Sequence, residues 1–179
     1  MKLFKIIVLI LFSNQILMAQ KNNIITDNSQ VEFVIKNIGI NVKGTFSGLN
    51  GQIFFDANDL KNSFIDVSID ANSVNTDNQA RDKHLRKPDY FDAVQYPKIS
   101  FKSTKIEKAS RLNRYNIEGN LTIKGSTKSI KLETIISEKD DISTLKTNFE
   151  INRRNFKVGD NSLVLSDKVK LNLNVLFGR

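Results

Sequence analysis

Alternation of apolar and polar side chains with a period of two is the feature that most constrains the fold of this chain. It is clearest in residues 114–124, where every second residue from Tyr115 to Ile123 is apolar or glycine and its neighbours are polar. In an antiparallel strand, this pattern separates a face in the core from a face in water. We therefore predict a half-buried β-strand here.

The same alternation recurs along the chain and predicts about eight strands in all. Turn-like stretches such as residues 47–51 separate these segments. Short strands at regular spacing favour an all-β sandwich or closed barrel over βαβ units. The seven further segments are residues 31–35, 52–55, 65–71, 99–101, 130–132, 145–151 and 169–177.

One interval interrupts the alternation and predicts a short helical lid segment. Thr76 with Gln79 three residues later fits a capping box, so a helix is expected to start near Asp77. Pro88 disfavours helix at the residue before it and should end the segment by about Arg86 or Lys87. The aromatic stretch that follows runs up to Pro97, which would begin the next strand.

The first nineteen residues have the pattern of a secretory signal peptide. Lys2 and Lys5 precede an apolar run at residues 6–12, and a small residue, Ala19, marks the expected cleavage site. The run is too short for a membrane-spanning helix, which needs about 20 residues. We predict a signal peptide at 1–19, one domain at 20–179, and a periplasmic or secreted protein without stable membrane insertion.

Composition excludes several classes of chemistry. The chain has no Cys and a single His, so it can build neither a His-rich zinc site nor a Cys/His dyad. A nucleophile elbow, a phosphate-binding loop and a dinucleotide fingerprint are all missing from the sequence. We therefore predict a non-enzyme without catalytic residues, metal or cofactor. The formal net charge of +8 would suit an anionic surface, but export makes nucleic acid the least expected partner.

Seven short motifs follow one another in a fixed order between residues 33 and 128. They are FVIK (33–36), GTF (44–46), GQIFFD (51–56), RDKHL (81–85), YFD (90–92), YPKISF (96–101) and GNLTIKGSTK (119–128). Each motif is weak alone, but the ordered set resembles the YceI-like family of secreted lipid-binding proteins. Residues 151–165, which include Arg153 and Arg154, follow the family pattern only loosely.

The resemblance implies an extended, lipocalin-like, eight-stranded antiparallel β-barrel that binds a lipid rather than transforming it. Its elongated interior would hold a polyisoprenoid, a quinone tail or a fatty amide. A barrel of eight strands is either filled by its own side chains or just wide enough for one ligand. The apolar positions predicted to face the lumen are Phe33, Ile35, Phe46, Ile53, Phe55, Ile65, Val67, Ile69, Ile99, Phe101, Ile117, Leu121, Leu132, Phe149, Leu171 and Leu173.

Two alternatives to a lipid carrier stay open on the sequence alone. Alternation does not distinguish a hollow barrel from a filled one, so a structural or accessory envelope protein without ligand fits the pattern equally. A small outer-membrane barrel, with its apolar face in lipid, is the other alternative. Homodimerisation is likewise left open.

The lid segment offers the polar candidates for a headgroup contact. Arg81, His84 and Arg86 would suit a phosphate or carbonyl group at the barrel mouth, since guanidinium and imidazole groups donate to such acceptors. Tyr90 and Phe91 would plug the barrel end. In the structural alternative, Arg81 and Asp82 pair with neighbouring loops and fix the lid. The Arg153-Arg154 pair is either a phosphate clamp or a solvated strand end.

Overall fold

Nine antiparallel strands, rather than eight, make up a single sheet. The structure is a computed structural model that describes residues 23–178, so the predicted signal peptide lies outside the described residues. The strands hydrogen-bond in the order β2-β1-β9-β8-β7-β6-β5-β4-β3. They are β1 (Asn23–Asn37), β2 (Ile40–Phe46), β3 (Asn50–Phe54), β4 (Phe64–Asp70), β5 (Lys98–Lys108), β6 (Arg114–Ile123), β7 (Ser126–Lys139), β8 (Ile142–Asn152) and β9 (Leu165–Gly178).

The sheet curls so that β3, at one edge, approaches β1, the neighbour of the other edge strand β2. Hydrogen bonds from the segments around the β2–β3 connection add to the closure. Thr45 on β2 exchanges backbone hydrogen bonds of 2.8 and 3.1 Å with Asn75, and the Asp70 N–H donates to Ser47 O at 3.1 Å. The predicted all-β, antiparallel barrel architecture with one short helix is thereby confirmed, and the strand count is corrected.

The ninth strand is β2, which the sequence pattern does not signal. Glycine stands at one of its buried positions, Gly44, so the apolar alternation is interrupted there. The ring of Phe33, directly opposite on β1, covers this glycine. A Cβ at Gly44 would lie 2.3 Å from Phe33 Cζ, so only glycine fits under the ring. The space that glycine leaves on one strand is thus filled by a large side chain from the neighbouring strand.

The apolar face of the sheet is turned inward and the charged face outward. On β6, Tyr115, Ile117 and Leu121 are buried, while Asn120 is exposed and Glu118 half-buried, as the alternation predicts. Cross-strand ion pairs such as Lys131–Glu118, at 3.2 Å, lie on the outer face. A small outer-membrane barrel would have the opposite orientation.

The interruption between β4 and β5 forms a lid over one end of the barrel. It contains a 3-10 helix, Ala71–Ser73, and a two-turn helix, α1 (Gln79–Leu85). The helix begins later than predicted, because the side chain of Asn78, not Thr76, caps it by accepting from the Arg81 N–H at 3.0 Å. It ends before Arg86 as expected. Within residues 23–178, no helix has the length and apolar character needed to cross a membrane.

Candidate functional site

A cavity of about 520 Å³ lies inside the barrel beneath the lid. Its walls come from α1 and the following turn, from every strand except β3 and β7, and from the segment that joins β8 to β9. Most of the side chains that border it are apolar. They include Val31, Phe33, Val42, Phe46, Leu85, Phe91, Ile99, Leu121, Ile123, Ile151, Phe156, Val158, Leu165, Val169 and Leu171.

A second, narrower cavity of about 110 Å³ lies deeper in the barrel. Leu121 on β6 and Leu171 on β9 border both cavities, so the two are adjacent along the interior. Strand β9 lines this path from Leu165 to Val175, and these ten residue-to-residue steps span about 33 Å at the rise of an extended strand. The interior therefore holds two adjacent apolar cavities, of which the larger lies beneath the lid, and we refer to the two together as the apolar tube.

Fifteen of the sixteen predicted lumen residues border one of these cavities, although whether they contact a ligand stays a prediction. Phe55 is the exception. It follows the last residue of β3, where alternation no longer fixes the direction of a side chain, and its ring packs edge-on against Tyr115 with centroids 4.8 Å apart. The fifteen are Phe33, Ile35, Phe46, Ile53, Ile65, Val67, Ile69, Ile99, Phe101, Ile117, Leu121, Leu132, Phe149, Leu171 and Leu173.

A row of aromatic rings joins the lid to the barrel wall. Phe91, which follows α1, packs edge-on against Phe46 on β2 at 5.4 Å, and Phe46 lies 5.5 Å from Phe33 on β1. Tyr90 also borders the large cavity, and its ring meets that of His84 edge-on at 5.0 Å. Tyr90 and Phe91 therefore line the covered end of the cavity.

Thr76 organises the polar groups at the start of the lid. Arg81 donates from Nε to the Thr76 hydroxyl and from Nη2 to the Thr76 carbonyl, both at 2.7 Å. The buried carboxylate of Asp82 accepts from the same residue. Arg81 borders the cavity, but these bonds give it the structural role that was the alternative to headgroup contact.

Of the other two headgroup candidates, only His84 is at the cavity. Its ring is exposed and borders the cavity beside Tyr90. Arg86 borders neither cavity, because it points back along the chain and donates to Asn72 O at 2.7 Å and Val74 O at 3.1 Å. The prediction that Arg86 faces the mouth is therefore corrected.

Arg153 is a buried residue of the cavity wall and not a solvated strand end. It lies in a 3-10 helix, Arg153–Phe156, and is 3% exposed. Its guanidinium donates to Val158 O at 2.8 Å and, at 3.0 Å each, to Ser166 O and Asp160 O. It also lies 2.9 Å from Asp167 Oδ1 as an ion pair. Because these acceptors are protein groups, Arg153 holds the segment between β8 and β9 in shape.

Three loops meet around the cavity entrance. The Gly159 N–H donates to Asp89 O at 2.8 Å, which joins the β8–β9 segment to the lid. The Ile38 N–H donates to Val164 O at 2.9 Å, which joins the β1–β2 hairpin to the same segment. The entrance is therefore formed by the lid, the β1–β2 hairpin and the β8–β9 segment together.

Two threonines place hydroxyl groups in the deep cavity, and sequence reasoning did not find them. Thr134 on β7 and Thr147 on β8 face each other across the ladder and are almost fully buried. Thr147 donates to Glu133 O at 3.0 Å. Thr134 Oγ1 has no hydrogen-bond partner among the described residues. The predicted segment 145–151 includes Thr147 at an alternating position, but segment 130–132 ends before Thr134, and neither segment gave a reason to expect a polar group inside.

Among residues 23–178, no group of three or more His, Asp or Glu side chains could hold a metal ion. On the outer surface, the hydrogen bond between Lys105 and Glu107 lowers the pKa of the Glu107 carboxyl and raises the pKa of Lys105. The interior is suited to holding an apolar molecule.

Sequence comparison matches residues 23–177 of this chain to the family profile of the YceI-like domain. A UPF0312 protein of Pectobacterium carotovorum is 36% identical to it over 113 residues, which cover 62% of this chain. The chain spans 58% of the length of that relative.

Two solved structures share the fold. BcnA of Burkholderia cenocepacia is 25% identical with a TM-score of 0.82, and the match covers 86% of this chain and 99% of that one. A polyisoprenoid binding domain from Saccharophagus degradans has a TM-score of 0.72 at 15% identity, with 88% and 97% covered. At that low identity the second likeness shows the fold alone.

Proposed function

Because this chain belongs to the YceI-like domain family, we propose that it carries or stores one long-chain apolar lipid in the interior of its barrel. The ligand would be an extended hydrocarbon of the polyisoprenoid, quinone-tail or fatty-amide type. The binding would be non-covalent. The polyisoprenoid binding named for the Saccharophagus domain agrees with this class of ligand.

The observation that carries the proposal is the size and lining of the large cavity. At about 520 Å³ it lies within the range of about 300–1,000 Å³ that is usual for ligand sites. A filled barrel without ligand would leave no such space, since protein interiors are packed with few voids larger than a water molecule. The hollow interior therefore favours a carrier over the filled structural or accessory protein.

The energy of burial is sufficient for stable binding without polar contacts. Each buried CH₂ contributes about 0.8 kcal/mol, so a twenty-carbon chain gains about 16 kcal/mol of gross transfer energy. Association removes about 4–15 kcal/mol of this through lost freedom of motion. An apolar tube thus selects for length and width, and a polar headgroup would add a smaller contribution at the mouth.

The headgroup would lie at the lid, where the tube is widest. His84 is the exposed donor that borders the cavity there, and Glu32 on β1 borders it as well. Arg81 would support the lid rather than the ligand, because its Nε and Nη2 groups already bond to Thr76.

We also propose that the protein acts in the cell envelope. This rests on the signal-peptide pattern of residues 1–19. Mass measurement of the mature protein from fractionated cells tests it. A protein that starts at Gln20 in the exported fraction is the expected result, and an uncleaved chain in the cytoplasm would oppose it.

Native mass spectrometry of the exported protein tests the carrier function. We expect an added mass of several hundred daltons that organic extraction removes, and uptake of a prenyl alcohol by the extracted protein. A bare protein mass together with no uptake of any prenyl lipid would count heavily against a carrier.

A charged side chain in the lumen should abolish that uptake. Leu121 borders both cavities, so Leu121→Asp places a carboxylate in the path of the chain. The matched control is Asn120→Asp, which puts the same group on the exposed outer face of the same strand. Circular dichroism establishes that each variant is folded, and Phe101→Asp provides a second test if Leu121→Asp does not fold. Wild-type uptake by either folded lumen variant would show that this face is not the binding surface.

A further inference from the structure

Four large apolar side chains are exposed together on two of the loops at the cavity entrance. Ile38 and Ile40 lie in the β1–β2 hairpin and are 71% and 69% exposed. Leu163 and Val164 lie in the β8–β9 segment and are 103% and 54% exposed. The hydrogen bond from the Ile38 N–H to Val164 O, at 2.9 Å, holds the two loops together. We call these four side chains the apolar rim.

The rim is continuous with the interior of the barrel. Val164 belongs to the rim and also borders the large cavity. Asn37 and Val42 on the hairpin, and Leu165 next to Val164, border the cavity too. An apolar molecule that leaves the cavity by this side would therefore pass directly onto the rim.

The backbone conformation of the β1–β2 turn does not favour isoleucine at position 38. Its φ angle is 51°, a left-handed conformation that β-branched residues rarely adopt and that asparagine tolerates well. Isoleucine at this turn position therefore costs local stability. Single exposed apolar residues are ordinary, but an adjacent group of four beside a cavity mouth is typical of an interaction site.

The charge around the rim indicates the kind of partner. Residues 34–43 of the hairpin contain two exposed lysines, Lys36 and Lys43, and no acidic residue. Lys83 and Lys87 of the lid are also exposed at the same end of the barrel. Exposed acids, among them Glu32, Asp89 and Asp160, lie at this end too, but the exposed lysines and arginines outnumber them. Apolar side chains with an excess of cations around them match a lipid surface with anionic headgroups, to which each nearby cation adds attraction.

We propose that the apolar rim docks this protein onto an anionic phospholipid bilayer, with the cavity entrance facing the membrane. A lipid can then pass between the bilayer and the barrel without crossing water. This goes beyond the carrier function, and docking can be measured without any cargo. A second copy of the chain is the less suitable occupant, because a stable dimer buries about 800 Å² on each partner and involves about 20–30 residues a side.

Vesicle flotation with the extracted, lipid-free protein tests the proposal. The probes are vesicles of phosphatidylglycerol and phosphatidylethanolamine, compared with vesicles of phosphatidylcholine alone. The rim variant combines Ile38→Asn with Leu163→Ser. Asparagine suits the left-handed conformation at position 38, and both changes affect only exposed side chains, so the variant should fold. Its binding to the anionic vesicles is expected to fall by at least about tenfold, since two apolar anchors are lost.

The matched control is Leu112→Ser. Leu112 is 90% exposed, like the rim residues, but it lies in the β5–β6 turn. Strand β6 begins beside it and reaches the large cavity only at its other end, at Leu121 and Ile123. This variant is expected to float like the wild type. An equal loss in both variants, or a wild type that does not float, would overturn the proposal.

The lysines provide a second readout. Lys36→Gln with Lys43→Gln is expected to weaken binding to anionic vesicles by about fivefold per lysine, with little change on phosphatidylcholine. Light scattering measures the oligomeric state of the wild type and the rim variant, and so tests whether a second copy of the chain covers the rim instead of a membrane. A wild-type dimer that the rim variant converts to a monomer would show that a second copy covers the rim, and it would overturn membrane docking while leaving the carrier function intact.

Discussion

Asp82 accepts two hydrogen bonds from Thr76, one from the backbone N–H at 2.9 Å and one from the hydroxyl at 2.6 Å. Both residues are buried, at 6% and 5% exposed. Asn75, the residue before Thr76, is bridged to Thr45 on the edge strand β2. The pair therefore connects the lid helix to the edge of the sheet, and the covered end of the cavity depends on it.

Removal of this carboxylate should destabilise the lid. Asp82→Ala leaves the buried N–H of Thr76 without its acceptor, so we expect the free energy of unfolding to fall by about 1–3 kcal/mol. Urea denaturation measures it. The control is Lys83→Ala, an exposed neighbour on the same helix, which should change stability by less than about 0.5 kcal/mol. Equal values for the two variants would mean that the Thr76 contact contributes nothing.

The two buried threonines of the deep cavity should respond to valine in opposite directions. Thr134→Val removes a buried hydroxyl that has no partner among the described residues, and should raise the free energy of unfolding by about 1 kcal/mol. Thr147→Val removes the donor to Glu133 O and should lower it by a similar amount. Chemical denaturation compares them. A loss of stability in Thr134→Val would show that its hydroxyl does have a partner in solution.

Alternation identified the parts of this fold in which one strand face is buried. It placed β6 correctly because Tyr115, Ile117 and Leu121 all lie on the inner face. It failed at β2, where Gly44 contributes no side chain and the ring of Phe33 from the next strand fills the space. That compensation is a contact between strands, which a local pattern does not contain.

The entrance was harder to predict because tertiary contacts, not local periodicity, determine its geometry. Thr76 and Gln79 fit a capping box, yet Thr76 bonds to Asp82 and Arg81 and leaves the cap to Asn78. Arg153 reads as a surface cation in sequence, but carbonyls brought together by the β8–β9 segment surround it. No spacing rule signals an arginine that is buried by backbone oxygens.

A larger side chain at Val169 should separate a hollow barrel from a filled one. Val169 on β9 borders the large cavity, opposite Ile35 and Ile151 on the neighbouring strands. In a packed core, Val169→Phe would cost about 1–3 kcal/mol by overpacking. Because there is space here, we expect a change in stability smaller than about 1 kcal/mol, together with a clear loss of prenyl alcohol uptake.

Two measurements check the Val169 prediction, namely thermal or urea unfolding for stability and native mass spectrometry for uptake. A suitable control is Val94→Phe, since Val94 is 92% exposed and borders neither cavity. A strongly destabilised Val169→Phe protein would mean that the interior is filled in solution.

His84 should distinguish ligands by their headgroup rather than by their chain. Its exposed ring borders the cavity and packs edge-on against Tyr90 at 5.0 Å, so it can donate to a group at the mouth. One exposed hydrogen bond contributes about 0.5–1.5 kcal/mol, which corresponds to about two- to tenfold in affinity. His84→Ala should therefore weaken binding of a prenyl phosphate by that factor and leave a prenyl hydrocarbon of equal length unchanged. Lys83→Arg, which keeps the charge of the adjacent exposed residue on α1, is the control and should affect neither ligand. Equal loss of both ligands in His84→Ala would indicate damage to the lid through Tyr90. Unchanged binding of the phosphate in His84→Ala and in a double variant with Arg81→Ala would eliminate the headgroup site, because affinity would then come from the apolar tube alone.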